Sequence, residues 1–137
     1  MTVSAFLDTN VLVYAAIGSG RDEHKRRRAL ELVESVDFGT SAQVLQEFYV
    51  TVVKKAARRL SPAEALDWIE QFAVFPCQPV DQQLVRIAVE QSERYRISYW
   101  DAAVLVAAQA LGASTVYSED LSHGQPYGRV QVINPFA

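Results

Sequence analysis

Residues 5–14 read AFLDTNVLVY, an apolar stretch with one carboxylate, Asp8, near its middle and Thr9 and Asn10 behind it. Val3 to Leu7 has the length and apolar run of a short buried strand. Asp8, Thr9 and Asn10 end it. Val11 to Ile17 follows as a short apolar helix stopped by Gly18, Ser19 and Gly20. A strand passing through a polar step straight into a helix is the opening of an α/β chain. The acid at that step needs a cap, an ionic partner or a metal, because an unpaired buried charge is costly.

Further along, the same alternation repeats. Arg21 to Val36 reads as a helix with a charged start and an apolar stripe at Ala29, Leu30, Val33 and Val36. Phe38 and its neighbours make a very short strand, and Thr40 or Ser41 caps the next helix. Ser61-Pro62-Ala63-Glu64 is a helix start with N-cap serine, proline at the first position and glutamate three after the cap. Phe72 to Val80 holds a third strand interrupted by Pro76 and Pro79. Asp81 opens a helix through Leu84, Ile87 and Ala88, and Ser98 opens another that Gly112 ends. Ser114 to Tyr117 and Val130 to Ile133 are the last two strands. Alternating strands and helices predict an α/β fold with a mainly parallel sheet, residues 1–137 forming one domain. In such sheets ligands sit beyond the carboxyl ends of the strands, so Asp8 and the pair Glu119-Asp120 are expected at one rim.

Composition narrows the classes. Half of the 137 residues are hydrophobic, 21% are charged and the net charge is −3, so nothing pulls the whole surface toward nucleic acid or anionic membrane. The single cysteine, Cys77, excludes an internal disulfide, a four-cysteine zinc site and a C-x-x-C redox motif, and reads as a packing residue. MTVSAFLD lacks the form of a signal peptide, and the longest apolar stretch, Ala102 to Ala108, is too short for a bilayer. A cytoplasmic location is expected.

Each acid has an ordinary reading beside a functional one. Asp8 suits a helix cap as well as a ligand. Glu47, in SAQVLQEFYVTVVKKAARR, falls with Gln43, Thr51, Lys54 and Arg58 opposite the apolar face of Leu45, Phe48, Tyr49, Val52, Val53 and Ala56, so periodicity makes it a solvated surface residue. Asp101, in SYWDAAVLVAAQALG, follows Ser98 at capping-box spacing, where the helix dipole favours negative charge. The helix it opens is apolar nearly all round and so central. Glu119 and Asp120, in SEDLSHG, make an acidic turn. Together they suggest a cluster, and packed carboxylates repel one another unless a hard cation such as magnesium joins them.

LDTNVLVYA, QVLQEFY, YWDAAVLVAA and VYSEDL, with GQPYGRVQVINPF at the end, resemble in order and spacing a PIN-domain ribonuclease of the VapC toxin type, over nearly the whole chain. The resemblance implies a PIN-like fold with a five-stranded, mainly parallel sheet flanked by helices. It implies Asp8, Glu47, Asp101 and Asp120 as an acidic quartet around Mg2+ or Mn2+, with Asn10 and Ser118 as supporting polar groups. It also implies an endoribonuclease, a homodimer, and a cognate antitoxin that inserts a peptide into the cleft. Val11, Tyr14 and Phe48 are candidates to line that groove.

Basic runs at Arg21, Lys25, Arg26, Arg27 and Arg28 and at Lys54, Lys55, Arg58 and Arg59 serve equally as solvated faces or RNA contacts. Lys54 and Arg58, on the Glu47 face, are the nearer to the site. Tyr99, Trp100 and Tyr127 offer rings for base stacking, with core packing the stronger use for the first two. His24 and His123 read as surface residues, His123 near enough to Asp120 to touch substrate. A receiver-type domain would want an acidic pair after the first strand, and a haloacid-dehalogenase-type phosphatase a second Asp where Asn10 stands. A non-catalytic interaction domain, its acidic cleft binding a basic partner, is the alternative function.

Overall fold

The computed structural model describes residues 2–137. In order it has β1 (Ala5–Leu7), α1 (Thr9–Ile17), α2 (Glu23–Ser35), β2 (Phe38–Ser41), α3 (Ala42–Val50), α4 (Pro62–Phe72), β3 (Cys77–Gln78), α5 (Gln82–Tyr95), α6 (Tyr99–Ala110), β4 (Thr115–Tyr117), β5 (Pro126–Tyr127) and β6 (Val130–Ile133). The strands form one sheet in the order β3-β2-β1-β4-β6-β5. All pairs are parallel except β5 with β6. The sheet is mostly parallel and flanked by helices, as expected, with six strands rather than five. The extra strand, β5, is a two-residue hairpin arm turned back by Gly128 at φ +63, and two residues carry no periodicity.

Chain order reverses between β1 and β4, which lie side by side with Leu7 opposite Tyr117. At such a reversal the connections leave in opposite directions and open a crevice beyond the strand ends. Asp8 leaves β1 and Ser118 leaves β4 at that crevice.

The helix starts follow local chemistry. The Ser61 hydroxyl accepts from the Glu64 N–H and the Glu64 carboxylate from the Ser61 N–H, a complete capping box before Pro62. The Asp81 and Ser41 side chains cap α5 and α3 by accepting from the Leu84 and Val44 N–H groups, without a return bond. The segment expected as one helix from Arg21 is a 3-10 turn, Gly20–Asp22, followed by α2. Ala102 to Ala108 of α6 are all buried, so the helix that is apolar all round lies in the core, against β2, β3, β4 and β6. Phe6, Leu7, Phe38, Phe48 and Phe72 are fully enclosed with it. Cys77 is half-buried in β3.

After Val50 the helix does not continue as an α-helix. Thr51–Lys55 wind as a π-turn, closed by the Ala56 N–H donating to the Thr51 carbonyl at 2.9 Å, and the helix ends there. Arg58 therefore lies beyond the helix and does not share a face with Lys54.

Candidate active site

A cleft of about 650 Å3 opens at the carboxyl ends of β1 and β4, and Asp8, Glu47, Asp101 and Asp120 all line it. They arrive from four segments: the end of β1, the middle of α3, the first turn of α6 and the turn after β4. Asp8 is at the floor, 6% exposed, Asp101 is half-buried, and Glu47 and Asp120 stand exposed at the rim.

Asp8 is held on both oxygens. Its Oδ1 accepts from the Thr9 N–H at 2.7 Å, the helix-cap contact expected of an acid there, and its Oδ2 accepts from the Ser118 hydroxyl at 2.8 Å. Ser118, fully buried, has its one proton committed to Asp8, and its oxygen accepts from Asn10 Nδ2 at 3.2 Å and from the Asp120 N–H at 3.1 Å. Asn10 is fixed in turn. Its Nδ2 also donates to Asp120 Oδ2 at 3.1 Å, and its Oδ1 accepts from the Glu119 N–H at 3.2 Å, which determines which way the amide faces. The expected supporting pair thus links Asp8 to Asp120 through three hydrogen bonds.

Across the cleft, Thr9 Oγ1 donates to Glu47 Oε1 at 3.1 Å. Glu47 is exposed, as periodicity requires, yet the water it faces is the water of the cleft. Its expected companion Gln43 is buried, its Nε2 donating to the Trp100 carbonyl at 3.3 Å. Ser98 caps α6 by accepting from the Asp101 N–H at 3.0 Å, but no bond from the Ser98 N–H back to the Asp101 carboxylate is formed, unlike the pair at Ser61 and Glu64. The carboxylate of Asp101 faces the cleft instead.

Burial pushes the Asp8 carboxyl up to about 6, against the lowering from Ser118 and Thr9, with Asp120 and Glu47 repelling its charge further. Asp101 is raised as well, first by burial and then by Asp120, while Ser98 pulls it down. Acids that repel one another across a cleft are a site short of positive charge. Among the described residues, no group of three or more His, Cys, Asp or Glu side chains is gathered closely enough to hold a metal ion by itself. The all-oxygen donor set nonetheless fits a hydrated hard cation, since magnesium keeps several waters and needs only one or two carboxylates. A softer metal would find no imidazole or thiol among the lining residues.

Glu119 turns away from the cleft. It accepts from the Tyr14 hydroxyl at 2.5 Å and pairs with Lys25 Nζ at 3.0 Å, which leaves Asp120 as the cleft acid of that turn, as expected. Of the first basic run, Lys25 is thereby paired, Arg26 pairs with Glu23 and Arg28 with Glu31, and none lines the cleft.

Four expectations about the walls are corrected. Val11 and Phe48 are fully buried; Val13, Tyr14, Val50 and Val104 supply the apolar lining. Lys55 lines the cleft where Lys54 was expected. The aromatic residues exchange roles: Trp100 is 63% exposed and lines the cleft, while Tyr127 is buried edge-on against Tyr95. His123 accepts from the Asn134 N–H at 2.8 Å and is not part of the lining; His24 is exposed, as expected.

Fold and site define an α/β domain with an acidic crevice at its strand-order reversal. The model of the PIN domain family matches residues 5–125, and the chain belongs to that family. No curated protein matches it in sequence. Its fold is similar to that of VapC20 from Mycobacterium tuberculosis, a sarcin–ricin loop cleaving toxin (22% identity, TM-score 0.66, covering 84% of this chain and 88% of that one). It is also similar to a chain of a toxin–antitoxin complex from Klebsiella pneumoniae (19% identity, TM-score 0.70, 96% and 98% covered). A third likeness is to DNA-bound VapBC from Salmonella typhimurium (18% identity, TM-score 0.64, 96% and 97% covered). Among the described residues no helix is long and apolar enough to cross a membrane.

Proposed function

We propose that this chain is a metal-dependent endoribonuclease, the toxin of a toxin–antitoxin pair, hydrolysing RNA phosphodiester bonds at the cleft of Asp8, Glu47, Asp101 and Asp120. The observation that carries the proposal is the convergence of four carboxylates from four separate segments on one cleft at the strand-order reversal. Family membership and the likeness to toxins, one of them named as cleaving the sarcin–ricin loop, support it. Magnesium or manganese is the cofactor that the donor set suits.

Asp8, Asp101, Asp120 and Glu47 would hold the ion, one or two of them directly and the others through its bound waters. When bound, it supplies the positive charge that polarises the phosphoryl group and acidifies an attacking water. The chain's own part is placement. Ser118 and the Thr9 N–H keep the Asp8 carboxylate in one orientation, Asn10 holds Asp120 beside it, and Thr9 turns Glu47 inward. No imidazole or thiol lines the cleft, so carboxylate oxygens are its proton acceptors. A homodimer and an antitoxin that covers the cleft complete the reading. The solved toxin–antitoxin assemblies of similar chains favour the antitoxin.

The test is cleavage of single-stranded and looped RNA with magnesium or manganese and with chelator. Cutting that persists in chelator, or in both Asp8→Asn and Asp101→Asn, defeats the mechanism. A parent that cuts no RNA yet binds a basic protein in the cleft is the non-catalytic interaction domain.

A further inference from the structure

We propose that Lys55 and Trp100 form a nucleotide-binding wall of this cleft, Lys55 holding a backbone phosphate and Trp100 stacking on a base of single-stranded RNA. The proposal rests on the ribonuclease reading and goes beyond it by assigning substrate contacts to residues outside the acidic quartet.

Lys55 owes its position to the π-turn. In a continuous α-helix the face of Glu47 and Thr51 would pass between Lys54 and Lys55, three and four residues after Thr51. The wider winding of Thr51–Lys55 delays the face by about one residue, and Lys55 takes the place. It is the sole cation among the residues lining the cleft. Among the described residues it forms no ion pair, although four acids share the cleft with it. A lysine that is beside carboxylates and unpaired keeps its charge available to an incoming phosphate. An acidic cleft that cuts RNA needs such a charge, because its own field repels the backbone.

Trp100 supplies a second, independent feature. It is next to Asp101 in the first turn of α6, and it is 63% exposed although Ala102 to Ala108 of the same helix are buried. Its position is fixed by neighbours. Tyr99 meets it edge-on at 5.1 Å, and buried Gln43 donates to its backbone carbonyl. A large flat ring held in water beside a phosphodiester-cutting cleft has the geometry of a stacking platform, which accepts any base through its π-face.

The experiment uses single-stranded RNA in magnesium and carries every variant on an Asp8→Asn background, which should bind RNA without cutting it because the attacking water is lost. Trp68→Phe leaves Trp100 as the only tryptophan, because the chain has two. Binding should quench Trp100 fluorescence, and one abasic position in a scanned series should abolish the quench. Trp100→Ala should weaken binding roughly 5- to 150-fold, with Trp100→Phe retaining most of it. Lys55→Ala should lower the slope of log affinity against log salt by about 0.7, Lys55→Arg should restore it, and Lys54→Ala should leave it unchanged. A parent that cuts RNA while Lys55→Ala and Trp100→Ala bind it with parental affinity and slope overturns the wall and leaves the nuclease standing. So does a salt slope lowered equally by Lys54→Ala, or loss in both variants of a basic peptide but not of RNA. A parent that neither binds nor cuts RNA overturns both.

Discussion

Asp8→Asn should stabilise the metal-free protein, and the size of the effect follows from burial. The Asp8 carboxyl moves from an ordinary 3.8 to about 6 on folding. At about 1.4 kcal/mol per pH unit, that is about 3 kcal/mol held against folding once the acid is ionised in both states. The folded state binds more protons than the unfolded one between these two values. Parental stability therefore falls as pH rises from about 4 to about 6 and stays low above that. Asparagine has no charge to bury and escapes the fall. It gives up one of the two acceptor bonds that Asp8 makes with Thr9 and Ser118, at about 1 kcal/mol. The net gain for the variant above pH 7 is about 2 kcal/mol, shrinking to a deficit of about 1 kcal/mol below pH 4. Excess magnesium should reverse the order at neutral pH, because an ion at a hundred times its dissociation constant stabilises the parent by about 2.7 kcal/mol. Urea unfolding of parent and variant from pH 4 to 8, with chelator and with magnesium, measures each part. A stability difference that is the same at every pH would falsify the buried-charge account of Asp8.

Three further predictions concern its neighbours. Asp101→Asn should lose RNA cleavage, whereas His123→Ala, remote from the cleft lining, should keep most of it; gel-resolved cleavage of a labelled RNA decides. Ser118→Ala removes the hydroxyl shared by Asp8, Asn10 and the Asp120 N–H, so it should cost about 1–3 kcal/mol in denaturant melts as well as activity; an unaltered melt would remove Ser118 from the network. Glu119→Gln breaks an ion pair with Lys25 that is partly open to water, so stability should fall by no more than about 1 kcal/mol and cleavage should persist; loss of cleavage would make Glu119 part of the site.

The parts of the fold that could be read from sequence are those where one local rule acts alone. Ser61 to Glu64 forms its capping box from four consecutive residues, and the run from Ala102 to Ala108 can be satisfied only by burial on all sides. Asp8 and Asp120 follow strands that end at one rim, so topology alone brings them together. Glu47 is different. Periodicity separates buried from exposed faces but cannot distinguish bulk water from the water of a cleft, and only the resemblance to known PIN domains grouped it with the other acids that line the cleft. Gln43 looked solvated because an amide can be buried whenever a carbonyl, here that of Trp100, receives it. Lys55 was missed for a third reason. The π-turn changes the angular step of the helix, and nothing in TVVKK announces it. Trp100 and Tyr127 exchanged places because a ring's fate depends on what arrives opposite it. Tyr95 arrives opposite Tyr127, and beside Trp100 the cleft stays open.

The hydrogen bond between Asp8 and Ser118 spans 110 residues of chain, and β1 pairs with β4 only after most of the polypeptide exists. Synthesis is vectorial, and on the ribosome the amino-terminal strand emerges long before its partner. A nascent chain that has not reached Thr115 holds Asp8, Glu47 and Asp101 but has neither Ser118 to orient the first nor Asp120 to complete the set. Closing so long a loop also makes this contact among the slower ones to form. The cleft therefore cannot be complete until the turn after β4 has joined the chain.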